Sequence, residues 1–279
     1  MGDAVGPALR AAAATLAPSS DTPRLDAELL MAHALGVTRS ELLLRHMTAP
    51  VPAAFAPLLG RRQAHEPVAY ILGEQEFRGL SFMVTRGVLI PRGDSEVLVD
   101  VALAACPAAR RVLDCGTGSG ALLLAVLSEL PAARGVGIDR SAAALAVAHG
   151  NAARLGLADR ATLALADWSR PGWADELGGP FDLVLANPPY VEEAADLAAS
   201  VRDHEPAGAL FAGPEGLDAY LVLIPQLPDL LSPAGVAVIE IGHTQADAVS
   251  AIARGVGFST TLHRDLAARP RALEMRWST

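Results

Sequence analysis

The spacing of apolar residues along the 279-residue chain changes twice and divides it into three stretches. Residues 1–17 are Ala-rich with one early basic residue, Arg10, and read as an amphipathic helix. Leu25, Leu29, Ala32 and Leu35 then recur at three- and four-residue spacing, which predicts one apolar helical face, and Gly36 ends the run. Thr38 or Ser40 offers an N-cap for a short helix, and a further helix is expected over 53–65, bounded by Pro50, Pro52 and Pro67. A small helical domain is therefore expected over 1–73.

The period then shortens to two. Phe77 to Val84 alternates large apolar residues around a turn at Gly79, predicting a β-hairpin in a linker over 74–90. Pro91 stops Val88-Leu89-Ile90, and a helix is expected over 95–105. From Arg111 strand, loop and helix alternate, which places the third domain at 91–279. Strands are expected at 112–114, 135–138, 162–166, 181–186 and 235–241. Helices are expected at 121–129, 142–155 and 217–231, the last with a core-facing leucine stripe. The closing segments 259–263 and 273–277 can pair antiparallel. This α/β rhythm predicts a mostly parallel sheet covered on both faces, with ligands outside the carboxyl ends of its strands.

Composition adds limits. The formal charge of -9 does not steer the chain towards phosphate backbones, although a local basic groove could still sit on an acidic protein. Cys106 and Cys115 have neither metal-ligand nor CxxC spacing, and point to a reducing cytoplasm without a structural disulfide. The seven histidines show no ligand spacing, so no metal is expected. No signal-peptide charge cluster opens the chain, and no window approaches the ~18 apolar residues of a membrane span.

Two motifs carry chemistry. Asp114-Cys115 leads into Gly116, Thr117, Gly118, Ser119 and Gly120 between a strand and a helix. Glycines let the backbone turn and approach a ligand closely, and the helix end offers free N–H groups. Asp139 ends the next strand, 23 residues after Gly116, where a carboxylate can accept from both ribose hydroxyls. The loop fits a nucleoside cofactor. It reads as the GxGxG of methyltransferases and, through Ala121, as a dinucleotide GxGxxA. Asp114 tilts the choice, since an acid there suits the cationic methionyl end of S-adenosylmethionine. Asp167 and Trp168 could receive adenine, the alternative being a helix cap with a surface ring.

The second motif, Asn187-Pro188-Pro189-Tyr190, leaves the apolar strand 181–186. Two prolines fix φ and hold Asn187 extended, so the turn is stiff. Such a turn suits methylation of a planar –NH₂ nitrogen, whose lone pair is delocalised. The Asn187 side-chain oxygen and the Pro188 carbonyl can accept its two N–H bonds and free the lone pair, while Pro189 and Tyr190 hold the acceptor by packing and stacking. Asn187 also borders the cofactor. Neither a catalytic acid nor a metal is required.

Beyond these motifs the sequence resembles the protein-(glutamine-N5) methyltransferases that modify peptide chain release factors. The resemblance covers about residues 20–277. Pro67-Val68-Ala69-Tyr70-Ile71-Leu72-Gly73 with Glu76-Phe77 is similar to that family's linker, and Val88-Leu89-Ile90-Pro91-Arg92 with Asp94, Ser95 and Glu96 to its hallmark segment. His204-Glu205-Pro206, Gly216-Leu217, Glu240-Ile241-Gly242 and Arg264-Asp265-Leu266 resemble its later signatures. Gly93 stands where the family usually has Pro. Arg92 and Glu96 either shape the active-site rim or form a solvent-facing ion pair.

The resemblance implies a class I (Rossmann-like) methyltransferase fold with a mostly parallel seven-stranded sheet, its last strand antiparallel, and an N-terminal helical domain that recognises substrate. It implies S-adenosyl-L-methionine as methyl donor, S-adenosyl-L-homocysteine as product and no metal. The acceptor would be the glutamine N5 in the Gly-Gly-Gln loop of bacterial release factors, with no stable nucleic-acid or membrane partner. The rival readings are an adenine-N6 DNA methyltransferase, a glutamine methyltransferase acting on a ribosomal protein, a nicotinamide oxidoreductase and a non-catalytic binder.

Overall fold

The computed structural model describes residues 4–278. They form two compact units. One holds the described residues through Glu74 together with Leu197–His204, and the other holds Gln75–Asp196 and the residues from Glu205 onward. The return of 197–204 to the first unit is a contact between distant parts of the chain that no local pattern announces.

The first unit is helical. α1 (Val5–Leu16) buries Val5, Leu9, Ala12 and Leu16 along one face. α2 (Pro23–Leu35) starts on a proline and stops at Gly36, whose φ of 67° lies in the left-handed region. Its buried side matches the expected one only in part: Ala32 is buried and Leu35 packs against the core. Leu25 is exposed, and Ala27, Leu30 and Met31 face the core together with two acids, Asp26 and Glu28. The acids can turn inward because each is paired. Asp26 accepts from Arg62 Nε at 2.7 Å and Ser20 Oγ at 2.7 Å, and Glu28 from Arg24 at 2.5 Å and Arg39 at 2.8 Å. α3 (Arg39–Arg45) is capped by Thr38, which exchanges bonds with Glu41 in a capping box. α4 (Phe55–Gln63) and α5 (Val68–Leu72) complete the helices of this stretch.

The second unit opens with the hairpin β1 (Glu74–Phe77) and β2 (Leu80–Met83), though Glu74 itself falls in the helical unit. Glu96 Oε1 accepts from the turn at Arg78 N at 3.0 Å, so this acid braces the hairpin and is not a rim residue. There follow α6 (Glu96–Ala105), β3 (Arg111–Cys115), α7 (Ala121–Glu129), β4 (Arg134–Asp139), α8 (Ala142–Arg154), β5 (Ala161–Leu165) and β6 (Phe181–Ala186). The short α9 (Ala199–Arg202) belongs to the helical unit. α10 (Asp218–Leu223), α11 (Leu227–Leu230), β7 (Leu231–Glu240), α12 (Ala246–Gly255), β8 (Phe258–Arg264) and β9 (Pro270–Trp277) close the fold.

The single helix expected over 217–231 is broken into α10, a 3-10 turn at Ile224–Gln226 and α11. Pro225 and Pro228 each lack the N–H that a continuous helix would use. Tyr220, Leu223, Ile224, Leu227 and Leu230 still reach the core, while Leu221 and Val222 are exposed.

The seven strands order as β5-β4-β3-β6-β7-β9-β8. All neighbours are parallel except β9, which runs antiparallel to both β7 and β8. Apolar helices cover both faces. Leu98, Leu123 and Val126 pack with one face, and Tyr220, Leu227 and Val249 with the other. The chain turns from one half of the sheet to the other between β3 and β6, which pair through Cys115 and Ala186. Open sheets of this kind bind ligands at that switch point, and it sets the glycine loop and Asn187 side by side.

Candidate active site

A cavity of about 430 Å³ opens over the carboxyl ends of β3, β4 and β6. Gly116, Thr117, Gly118, Ser119, Asp139, Asp167, Trp168, Asn187 and Pro189 line it, and Arg92 and Ser95 reach it from the segment before α6.

The glycine loop is bent by three left-handed residues, Gly116, Gly118 and Gly120, at φ 77°, 56° and 83°. Gly116 N and Thr117 N both donate to Ile138 O, at 2.9 and 2.8 Å, so the loop is moored to the end of β4. Asp139 then grips it from the side, accepting from Gly118 N at 3.0 Å through Oδ2 and from Ser141 N at 2.8 Å through Oδ1. A Cβ on Gly116 would come within 3.0 Å of the Trp168 ring, so the absence of a side chain there seats the ring. Gly120 does not line the cavity. It ends the loop as the N-cap of α7.

Asp114 lies beneath the loop and not on the cavity wall. Thr117 Oγ1 donates to its Oδ2 at 2.7 Å, and its Oδ1 finds no partner among the described residues. Burial raises its pKa to about 7, against the opposing effect of the Thr117 bond. The acid expected to suit a cationic ligand is thus buried behind Thr117 and off the cavity wall. Asp167 receives Ser169 N at 2.9 Å and Ser169 Oγ at 2.7 Å, which hold its carboxyl below the usual range. Gln226 Nε2 donates to the Trp168 carbonyl at 3.0 Å and fixes that stretch.

The Asn-Pro-Pro-Tyr turn divides into two sides. Asn187 and Pro189 face the cavity, while the buried Pro188 and the Tyr190 side chain do not line it. Tyr190 is instead clamped. Its hydroxyl donates to Glu240 Oε1 at 3.2 Å and accepts from Arg271 Nη1 at 3.4 Å. Its carbonyl accepts from Gln245 Nε2 at 3.0 Å, and its N–H donates to Leu210 O at 3.1 Å. Burial first, and the Glu240 charge second, push the phenol well above its ordinary pKa, so it stays a donor.

Behind the turn lies a polar network that the sequence motifs only partly suggested. Glu240, at the end of β7, is fully buried and accepts from Ser95 Oγ at 2.5 Å. Arg271 on β9 donates to Asp94 Oδ2 at 3.0 Å and Asp265 Oδ2 at 3.4 Å, and sits 4.0 Å from Glu240 Oε1. Nothing in the local pattern marks Arg271. Arg92 is ion-paired with the buried Glu205, whose other oxygen accepts from Ile90 N at 3.2 Å. Of the two residues weighed for the rim, Arg92 is at the cavity.

These residues suit a nucleoside-bearing ligand. Gly118 exposes bare backbone, since a Cβ there would meet nothing nearer than 4.0 Å. An acid stands at the end of β4 and an acid–aromatic pair follows β5, all on one cavity wall.

A family model described as "PrmC N-terminal domain" matches residues 7–73, and one described as "Methyltransferase domain" matches residues 108–252. The release factor glutamine methyltransferase of Caulobacter vibrioides is 45% identical, over 85% of this chain and 83% of its own. That of Moorella thermoacetica is 44% identical, over 91% and 89%. Among solved structures, the ribosomal protein L11 methylase of Lactobacillus delbrueckii subsp. bulgaricus aligns with a TM-score of 0.50 at 21% identity, covering 67% of this chain and 81% of that one. At that identity the likeness speaks for the fold alone.

Proposed function

The chain belongs to the release factor glutamine methyltransferases, and from that premise we propose that it methylates the side-chain N5 of the glutamine in the Gly-Gly-Gln motif of bacterial peptide chain release factors. One observation carries the reading. β6 delivers Asn187 to the wall of a cavity whose floor is the glycine loop of the adjacent strand β3.

S-adenosylmethionine, when bound, supplies an electrophilic methyl group and leaves as S-adenosylhomocysteine. The residues that would hold it are Gly116, Thr117, Gly118 and Ser119 along the loop, Asp139 at the ribose hydroxyls, and Asp167 with Trp168 at the adenine, while Asn187 borders it on the acceptor side. Gly120 serves the loop indirectly, through its turn.

The acceptor glutamine is a neutral amide with its lone pair spread into the carbonyl. Asn187 Oδ1, on the cavity wall, would accept one of its two N–H bonds, and the Pro188 carbonyl, which belongs to a residue behind that wall, would have to be reached between Asn187 and Pro189 to accept the other; together they would turn the lone pair towards the donor. This orientation replaces a chemical base, since the N–C bond would form as the sulfonium S–C bond breaks, and the acidic N-methylated amide would then lose its extra proton to water. Such positioning is worth several kcal/mol where each ~1.4 kcal/mol changes the rate tenfold. Tyr190 contributes by fixing the turn through its hydroxyl. The bonds of that hydroxyl hold only the tip of the ring, and stacking of its face on the amide would need the acceptor to reach past the cavity lining, which does not include Tyr190.

The helical unit, matched over 7–73, is the region we assign to release-factor recognition. The protein would work in the cytoplasm, where release factors act. Among the described residues no helix is long and apolar enough to cross a membrane, and both cysteines are free thiols. Incubation with labelled S-adenosylmethionine and either a release factor or duplex DNA tests the assignment. Label in the release factor supports it, and label confined to DNA replaces it with the adenine reading.

A further inference from the structure

The surroundings of Asn187 decide which way its carboxamide faces. Glu240 is fully buried and receives two hydroxyl groups, Ser95 Oγ at 2.5 Å and Tyr190 at 3.2 Å, with Arg271 4.0 Å away. Burial pulls the Glu240 pKa upward, and the Ser95 hydroxyl, Arg271 and the Tyr190 hydroxyl oppose that pull; held by them as the carboxylate, Glu240 has no proton to give. The single Ser95 hydroxyl proton must therefore point at Glu240, and only lone pairs remain on Ser95 Oγ for any other neighbour. That neighbour is Asn187, whose Nδ2 donates to Ser95 Oγ at 3.4 Å. An amide oxygen in the same place would face those lone pairs with nothing to donate.

We propose that Glu240 and Ser95 are positioning residues that fix the Asn187 amide through a one-way chain of proton donation. Asn187 Nδ2 gives to Ser95, Ser95 gives to Glu240, and Asn187 Oδ1 is left as the acceptor for the incoming glutamine amide. The inference rests on the assignment of Asn187 as the acceptor of that N–H. Ser95 lies 92 positions before Asn187 in the chain and Glu240 lies 145 after Ser95, so the three come together only in the fold. The same chain gives a role to an acid in a fully buried site, where a charge is costly and is offset here by two hydroxyl donors and the nearby Arg271. A glutamine at position 240 could donate as well as accept. Ser95 would then be free to turn its proton to Asn187, and the amide could flip.

The test is steady-state kinetics on a release factor, with S-adenosylhomocysteine affinity measured by calorimetry as a check on folding and on the cofactor cavity. Ser95→Ala and Glu240→Gln should each lower kcat roughly tenfold, the scale of one lost hydrogen bond to a charged group, and leave S-adenosylhomocysteine affinity unchanged. The double variant should fall no further than the worse single one, because both break the same chain. Ser95→Thr keeps the hydroxyl and should restore most of kcat. Wild-type kcat in Ser95→Ala would overturn the proposal while leaving the Asn187 reading intact. Loss of S-adenosylhomocysteine affinity together with kcat would also overturn it, since Ser95 would then merely shape the cavity. Failure of the unaltered protein to methylate a release factor would remove the function on which the inference rests.

Discussion

Arg271 donates to Asp94 Oδ2 at 3.0 Å across 177 positions of sequence, and by doing so ties the last strand to the segment before α6. The same guanidinium reaches Asp265 and the Tyr190 hydroxyl, and lies beside Glu240. It is the cation that makes a cluster of acids tolerable beneath the Asn-Pro-Pro-Tyr turn.

Replacing Arg271 by Met should therefore be costly. It leaves Glu240 buried without a counter-charge and releases Tyr190. Asp94 is largely exposed and adds little, so the loss should be about 2–4 kcal/mol, and less than the full penalty of a wholly buried pair. Urea unfolding would measure it, and an unchanged midpoint would show that Glu240 finds another partner.

Asn187→Ala should lower kcat by about a hundredfold or more, the scale seen when one preorganised polar contact to the reacting group is deleted. S-adenosylhomocysteine should still bind, because the glycine loop and Asp139 do not depend on that side chain. Activity near wild type would rule out the amide-orienting role.

Asp139 has two tasks, holding Gly118 N in the structure and, in the proposed complex, receiving ribose hydroxyls. Asp139→Ala removes both, and should weaken S-adenosylhomocysteine binding by at least about tenfold, or ~1.4 kcal/mol, in calorimetry.

Asp114 predicts a pH dependence of stability. Its folded pKa is raised to about 7, above the ordinary carboxylate value. Between roughly pH 4 and 7 the unfolded chain releases this proton and the folded chain retains it. Stability should fall as pH rises through that window and level off above it. Asp114→Asn should flatten this slope and raise stability at pH 8 by an amount on the order of a few kcal/mol. Denaturant midpoints at pH 5 and pH 8 for both proteins decide it.

At Gly93, where the resemblance implies Pro, the structure leaves room for one. No atom lies within 4 Å of a Cβ built on it, and Arg92 before it is already extended at ψ 140°, as a following proline demands. Gly93→Pro should be tolerated and should raise stability by about 0.4–1 kcal/mol through the unfolded chain. A drop in melting temperature would mean that the turn needs glycine.

The order of strands and helices was legible because buried strands and their covering helices leave strong local periods. The two motifs were legible because Gly116 to Gly120 and Asn187 to Tyr190 are each contiguous, and the structure brings Gly116 and Asn187 to one cavity. Three features escaped for physical reasons. The inner face of α2 is set by ion pairs between Asp26 and Arg62 and between Glu28 and Arg39, and a count of apolar positions misses charges that are buried in pairs. The break in the leucine-rich stretch came from Pro225 and Pro228, which outweighed its periodicity. The direction of Tyr190 depended on Glu240 and Arg271, and partners so far apart in sequence carry no local signal.

The most direct test of the central claim is mass spectrometry of a purified release factor before and after treatment with the protein and S-adenosylmethionine. A gain of about 14 Da, one methylene, confined to the glutamine of the Gly-Gly-Gln peptide is the predicted result. No gain on that peptide, or a gain placed on another residue, would contradict it.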